Sequence, residues 1–254
     1  MNRPHVIVHQ SSSVDGRLTL SPDTLLLLGD ERWTAVAGSS NDGYEHAKKE
    51  FLPQAILEGS GSFVLDSQMP DPLPPVEDDT APLYDDFLPD TVVRQPGRKW
   101  FTVVDSQGRI RWLYKELPDE EWASWHVLVL ACRQTPPAYL AYLRRETIPY
   151  LLAGTERVDL GRALEKLHTL LNVTTLLSTA GGRLNGALLR ANLIDELSLD
   201  VFPALIGGTR TPSLFDSPDL APDEFPTRLE LISAQPRDDG HVWLRYRVAR
   251  DGAD

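Results

Sequence analysis

The chain has 254 residues, 41% apolar and 24% charged, an ordinary composition for one large α/β domain or two small ones. A net charge of −12, from 37 acids against 25 bases, argues against a sequence-independent nucleic-acid binder and a polybasic membrane-surface protein. The single cysteine, Cys132, rules out an internal disulfide, a four-cysteine zinc site or an iron–sulfur cluster.

No apolar run approaches the ~18 residues of a membrane span. The nearest is the four leucines Leu25–Leu28, and Met1–Val8 is too short and mixed for a signal peptide. The expectation is a soluble, cytoplasmic protein.

In chain order, Val6–His9 reads as a short buried strand. A helix is expected from about Asp23, where Ser21-Pro22-Asp23 offers a cap and an early proline. A second helix is expected over Gly43–Phe51. Ala55–Leu57 is a strand entering the glycine turn Gly59-Ser60-Gly61-Ser62.

Residues 66–90 then hold six prolines, eight acids and no lysine or arginine, which places −8 of the −12 in one segment. Proline removes ladder donors and fixes φ, so an exposed, irregular excursion is expected there. Strands follow at Trp100–Val104 and Val127–Ala131, with a turn at Asp105–Gly108 between them. A helix from Pro136-Pro137 to Leu143 and an extended stretch over Thr147–Leu152 come next.

Leu160, Ala163, Leu164, Leu167 and Leu171 keep a helical period. Val173–Leu177 is a strand that enters Gly181-Gly182, with a helix over Leu184–Ala191. Glu196–Pro203 is a strand. Arg228–Ala234 and His241–Val248 form a hairpin around Asp238-Asp239-Gly240. The alternation predicts one α/β domain over residues 1–254, with a mainly parallel central sheet flanked by helices and a C-terminal antiparallel hairpin.

Ligands of such sheets bind beyond the carboxyl ends of the strands. Both glycine turns sit at such ends, and the second opens a helix whose N-terminus suits a pyrophosphate, with Arg183 as a charge-assisted donor. A strand–Gly-Gly–helix connection is more often just a tight turn, and the G-x-G-x-x-G fingerprint is absent from both. The six histidines lack metal-ligand spacing, so no metal is expected. No nucleophile elbow or P-loop lysine motif is present.

Val6–Leu18, with Ser13-Val14-Asp15-Gly16-Arg17, Ala55–Phe63, Val103–Ser106, Leu177–Leu189, Leu193–Leu197 and Pro203–Gly208 form an ordered set of motifs. Together they resemble the riboflavin-biosynthesis pyrimidine reductases, the reductase half of the bifunctional deaminase–reductase, which share the dihydrofolate reductase fold. Val6–Leu18 is similar to that family's opening strand and S-L-D-G-K/R signature. Ala55–Phe63 looks like I-L-V-G-x-G-T-V, and Val103–Ser106 like V-V-D-S. Leu177–Leu189 resembles L-L-E-G-G-G-x-L-N-G-A-L-L. Leu193–Leu197 and Pro203–Gly208 match L-V-D-E-L and P-x-L-L-G-G.

The resemblance implies hydride transfer from NADPH to a small heterocyclic or ribosyl substrate such as a pyrimidine or pterin, and a homodimer with the late strands at its interface; the apolar run Leu197–Ile206 suits that interface and a core equally. It implies cofactor contacts for Gly59, Gly61, Ser62, Gly181, Gly182, Arg183, Leu184 and Asn185, with Ser11, Asp66 and Ser106 on the cofactor side. Asp15 and Thr179 would face the substrate. Asp15 is also the candidate proton donor, and Arg133, just past a strand end, is assigned to the adenosine 2′-phosphate.

The sequence departs from the family where Thr179 replaces a substrate-binding glutamate and where Ser67 follows Asp66. The deaminase half needs several zinc-ligating cysteines that one cysteine cannot supply. The alternative reading is a degenerate member that binds nucleotide or ligand without turnover.

Overall fold

A computed structural model describes residues 2–25, 30–38, 40–116, 122 and 124–250, with no account of the side chains of 40–42. The chain forms two compact units, residues 1–4 with 54–176 and residues 5–53 with 177–254. No described helix is long and apolar enough to cross a membrane.

Unit 1 is built on four parallel strands in the order β5-β4-β3-β2: β2 (Ala55–Gly59), β3 (Lys99–Val104), β4 (Trp125–Ala131) and β5 (Tyr150–Leu152). All seven residues of β4 are buried, as a strand covered on both faces requires. Helix α4 (Pro137–Arg145) lays Tyr139, Leu140, Tyr142 and Leu143 on Val127, Val129 and Ala131. Helix α5 (Leu160–Leu171) starts at an Asp159 cap and ends on Asn172 in the left-handed region, φ 55°. The predicted strand at Thr147 begins three residues later. Thr147 sits at φ 59°, and Ile148 N–H donates to Leu143 to close α4, so this backbone ends a helix before it extends.

Residues 66–90 are irregular apart from a short 3-10 turn at Ala81–Tyr84, but they are not simply exposed. Leu73, Leu83, Tyr84 and Phe87 pack on the unit 1 core. Phe87 and Tyr150 exchange backbone hydrogen bonds of 2.9 Å in each direction, so the segment straps the free edge of β5. Covering an edge in this way blocks pairing with another chain. Asp86 fixes the strap by accepting from Leu152 N–H and Lys166 Nζ, each at 2.8 Å. The short helix α3 (Asp90–Val93) follows it.

Unit 2 carries β1 (His5–Ser13), β7 (Glu196–Phe202), β8 (Leu229–Pro236) and β9 (Val242–Val248), paired in the order β1-β7-β9-β8. The first pair is parallel and the others antiparallel, so the C-terminal hairpin is present as predicted. Strand β1 runs four residues past His9, because Gln10–Ser13 continue in register with Leu199–Phe202. Its serines read as loop residues in isolation; pairing with β7 makes them strand.

The helix predicted from about Asp23 does not begin there. Residues 22–23 turn, Leu25 is irregular and residues 26–29 lie outside the described set. Helix α1 (Glu31–Ala37) instead starts at Asp30, whose carboxylate caps Arg32 N–H. Helix α2 (Ser40–Phe51) follows, and α6 (Gly182–Arg190) starts two residues before its predicted place.

Leu197 and Leu199 are buried in β7 between β1 and β9, whereas Leu205 of the same run is exposed. The exposed apolar residues of the late strands are Leu229, Leu231 and Ile232 on β8. The chain passes from unit 1 to unit 2 within β6 (Thr175–Ser178).

Candidate active site

In unit 2 three of the motifs converge. The β1 strand ends in a turn, Ser13–Gly16, closed by Gly16 N–H to Ser13 O at 2.9 Å, with Gly16 at φ 72°. Asp15 follows from this turn. Its Oδ1 accepts from Ser13 Oγ at 2.6 Å and from Ile206 N–H at 3.0 Å, and its Oδ2 from Gly207 N–H at 2.7 Å. The Pro203–Gly208 motif is thus tied to the first motif by one carboxylate. These hydrogen bonds, the one from Ser13 foremost, hold the Asp15 carboxyl at a pKa of about 2. An acid with that pKa carries no proton at neutral pH, so Asp15 is a pinned acceptor and its assignment as proton donor does not fit.

The third motif is the turn from β6 into α6. Gly181 is the N-cap, exposed, and a Cβ built there meets nothing within 4 Å. Gly182 differs. A Cβ there would lie 2.1 Å from the Ser213 carbonyl oxygen and 2.8 Å from Asp216 Oδ2. Asp216 N–H donates to Gly182 O at 2.9 Å, and Ser213 Oγ donates to Asp216 Oδ1 at 2.6 Å. Gly186 meets the same loop, with Asp216 O 2.4 Å from its ideal Cβ. The glycines at 182 and 186 therefore admit the 213–217 loop, and Gly181 alone faces open space.

That loop also reaches the first motif, because Leu214 N–H donates to Gly16 O and Leu18 N–H to Pro212 O.

Asn185 is fully buried. Its Nδ2 donates to Ala180 O at 2.8 Å and its Oδ1 accepts from Ser178 Oγ at 3.0 Å. With both ends of the amide engaged, Asn185 shapes the turn, and the expected direct cofactor contact does not fit its burial. Arg183 is exposed, while Leu184, Thr179 and Ser11 are half-buried.

In unit 1 the remaining candidates lie on loops after β2, β3 and β4. Gly61 is exposed and open, with nothing within 4 Å of an added Cβ. Ser62 Oγ donates to Glu58 at 2.7 Å beside Gly59. Asp66 accepts from Arg109 Nη1 at 3.2 Å, and Arg109 also donates to the carbonyls of Val64 and Leu65.

The Ser106 carbonyl accepts from Thr135 Oγ1, whose oxygen accepts from Cys132 N–H, so the loop bearing Ser106 is tied to the one bearing Arg133. Arg133 is exposed, its N–H donating to Gly154 O. Asp105, fully buried, caps the N–H groups of Arg109 and Ile110.

Asp105 stands inside the V-V-D-S match and could have been singled out as a buried loop cap. Arg109 and Asp216 carry no motif, Gln10 lies in the opening-strand motif without being singled out, and only the fold reveals their partners.

The family model for the RibD C-terminal domain matches residues 4–243, spanning both units. The chain belongs to the RibD C-terminal domain family. Two relatives are each named 2,5-diamino-6-ribosylamino-4(3H)-pyrimidinone 5′-phosphate reductase. The one from Methanothermobacter thermautotrophicus is 28% identical over 230 residues, 90% of this chain and 91% of that protein. The one from Archaeoglobus fulgidus is 28% identical over 214 residues, 84% of this chain and 87% of that protein.

Among solved structures, a pyrimidine reductase-like protein from Corynebacterium diphtheriae aligns with a TM-score of 0.66 at 20% identity, covering 98% of this chain and 94% of that one. At that identity the likeness speaks for the fold alone, and it agrees with the predicted α/β architecture of the RibD C-terminal domain.

Proposed function

We propose that the protein is an NADPH-dependent reductase whose substrate is a pyrimidine bearing a ribosyl phosphate. The observation that carries this reading is the RibD C-terminal domain match over residues 4–243, with two relatives named as such reductases over most of their length.

The residues present fit a dinucleotide. Gly181 opens a nine-residue helix with open space at its Cβ, and Gly61 has the same open space in its own turn. When bound, NADPH supplies the hydride from its nicotinamide ring. In unit 2, Gly181 and Arg183 are proposed to bind the pyrophosphate, with Leu184 and Ser11 beside the cofactor. Gly182 and Asn185 hold the turn in shape. In unit 1, Gly59, Gly61, Ser62, Asp66, Ser106 and Arg133 are proposed as nucleotide-side residues, Arg133 for the 2′-phosphate. Thr179 and the ionised Asp15 are proposed to face the substrate, Asp15 as an acceptor for an amine or hydroxyl donor.

A homodimer and a cytoplasmic location complete the proposal; light scattering and cell fractionation test them. The central test is turnover. The full chain is mixed with NADPH and the diamino-ribosylaminopyrimidinone phosphate, and absorbance at the nicotinamide band is followed. Oxidation dependent on that substrate supports the reading. Cofactor binding without oxidation refutes it in favour of a non-catalytic member of the family.

A further inference from the structure

The Ala180 carbonyl is held by two side chains from distant parts of unit 2. Gln10 Nε2, from β1, donates to it at 2.5 Å, and Asn185 Nδ2, from α6, donates at 2.8 Å. Asn185 is itself oriented by Ser178 Oγ. A carbonyl oxygen has two lone pairs, and here both are used.

No described peptide bond is cis, so the Ala180–Gly181 unit is planar and trans. In such a unit the N–H points opposite to the C=O. Fixing the carbonyl from one side therefore aims the Gly181 N–H to the other. That N–H belongs to the N-cap of α6, the residue whose Cβ position is open.

From this arrangement we infer that Gln10 is a positioning residue for cofactor binding: with Asn185 it locks the Ala180–Gly181 peptide so that the Gly181 N–H is pre-aimed at an anionic oxygen of the dinucleotide. The inference rests on the reductase reading and adds to it a residue that touches no ligand. Asn185 also braces the β6–α6 turn through Ser178, so its loss would disturb the fold. Gln10 is half-buried on β1, and the hydrogen bond to Ala180 engages its amide nitrogen. A peptide free to rock would have to be ordered at the moment of binding, and that cost lowers affinity.

The test uses the full chain and NADP⁺, which is stable in mild acid, with binding read from tryptophan fluorescence and the unfolding midpoint measured in parallel. Gln10→Met keeps the length and removes the donor; its NADP⁺ Kd is expected to rise about fivefold, the scale of one lost hydrogen bond. Gln10→Glu supplies a signature that a purely structural role would not give. Its protonated carboxyl donates to the Ala180 carbonyl, and its carboxylate does not. NADP⁺ affinity of this variant, relative to the unmodified protein at the same pH, is expected to fall about twofold between pH 5 and pH 8, because an ordinary glutamate is only partly protonated at pH 5. The pH signature serves alone if Gln10→Met does not fold. Parental affinity in both variants at both pH values overturns the role of Gln10. An unmodified protein that binds no NADP⁺ overturns the reductase reading beneath it.

Discussion

Two adjacent glycines at the start of α6 are expected to respond oppositely to a single methyl group. In Gly182→Ala the new Cβ would sit 2.1 Å from the backbone carbonyl of Ser213 and 2.8 Å from Asp216 Oδ2. The first neighbour is backbone, so the loop must move as a whole, and overpacking of this kind costs about 1–3 kcal/mol. Displacing the loop also loses the Asp216 N–H to Gly182 hydrogen bond, a further ~1 kcal/mol. The better helix propensity of alanine returns less than ~1 kcal/mol. The net loss is about 1–3 kcal/mol, a fall in Tm of roughly 2–12 °C for a chain of this length.

In Gly181→Ala the methyl meets nothing within 4 Å, and the backbone at φ −65°, ψ 167° suits any residue. Its stability should stay within about 0.5 kcal/mol of the parent. The same methyl occupies the space proposed for the pyrophosphate, so NADPH affinity should drop. Urea unfolding and a nicotinamide fluorescence titration of both variants check this. A stable Gly182→Ala refutes the packing argument, and undiminished NADPH binding by Gly181→Ala refutes the placement of the pyrophosphate.

His9 should make the protein acid-sensitive. Burial first, then the nearby His46, holds its pKa at about 4 against an ordinary 6.5. The unfolded chain therefore binds the extra proton first. Stability is full above pH 6.5 and declines towards pH 4, by about 3 kcal/mol in all; urea midpoints in His9→Gln should lose most of that slope. The lowered Asp15 pKa works on a different window, its contribution being full above pH 3.8 and lost as pH falls through about 2. At neutral pH, Asp15→Ala should free the Ile206–Gly207 backbone and reduce turnover without abolishing NADPH binding, read as a change in kcat/KM for the pyrimidine substrate. Asp86→Ala leaves Leu152 N–H without its acceptor and removes the ion pair of Lys166, whose Nζ keeps its bond to the Leu152 carbonyl. A loss of about 1–3 kcal/mol and faster proteolytic nicking within residues 66–90 are expected; unchanged protease resistance would contradict the strap.

Elements defined by local pattern were legible from the chain alone. The continuous apolar run of β4 and the spacing of Leu160, Ala163, Leu164 and Leu167 in α5 need only neighbours within one element to announce themselves. The serines of β1 do not, because their strand character comes from β7, almost two hundred positions away. The strap was legible as irregular backbone but not as a cover, since Phe87 shows its purpose only against Tyr150.

The site divides similarly. The motif segments were found, while the division of labour within Gly181-Gly182-Arg183-Leu184-Asn185 was not. Glycine is used for open space at one position and for close approach at the next, and the partner that decides between them, Asp216, lies in a loop without a motif.

The interleaving of the two units bears on how the chain is made. Unit 1 draws almost all its residues from one stretch, 54–176, so its strands can begin to pair while the final third is still being synthesised. Unit 2 needs β1 to meet β7, which lies far along the chain from it. The bond from Val6 N–H to Asp195 closes a loop of 189 positions. Such a closure is slow, because its entropy is spent before any contact rewards it. Until then the apolar residues Val6, Ile7 and Val8 lack the β7 side of their sheet, and that edge of β1 stays open to other chains.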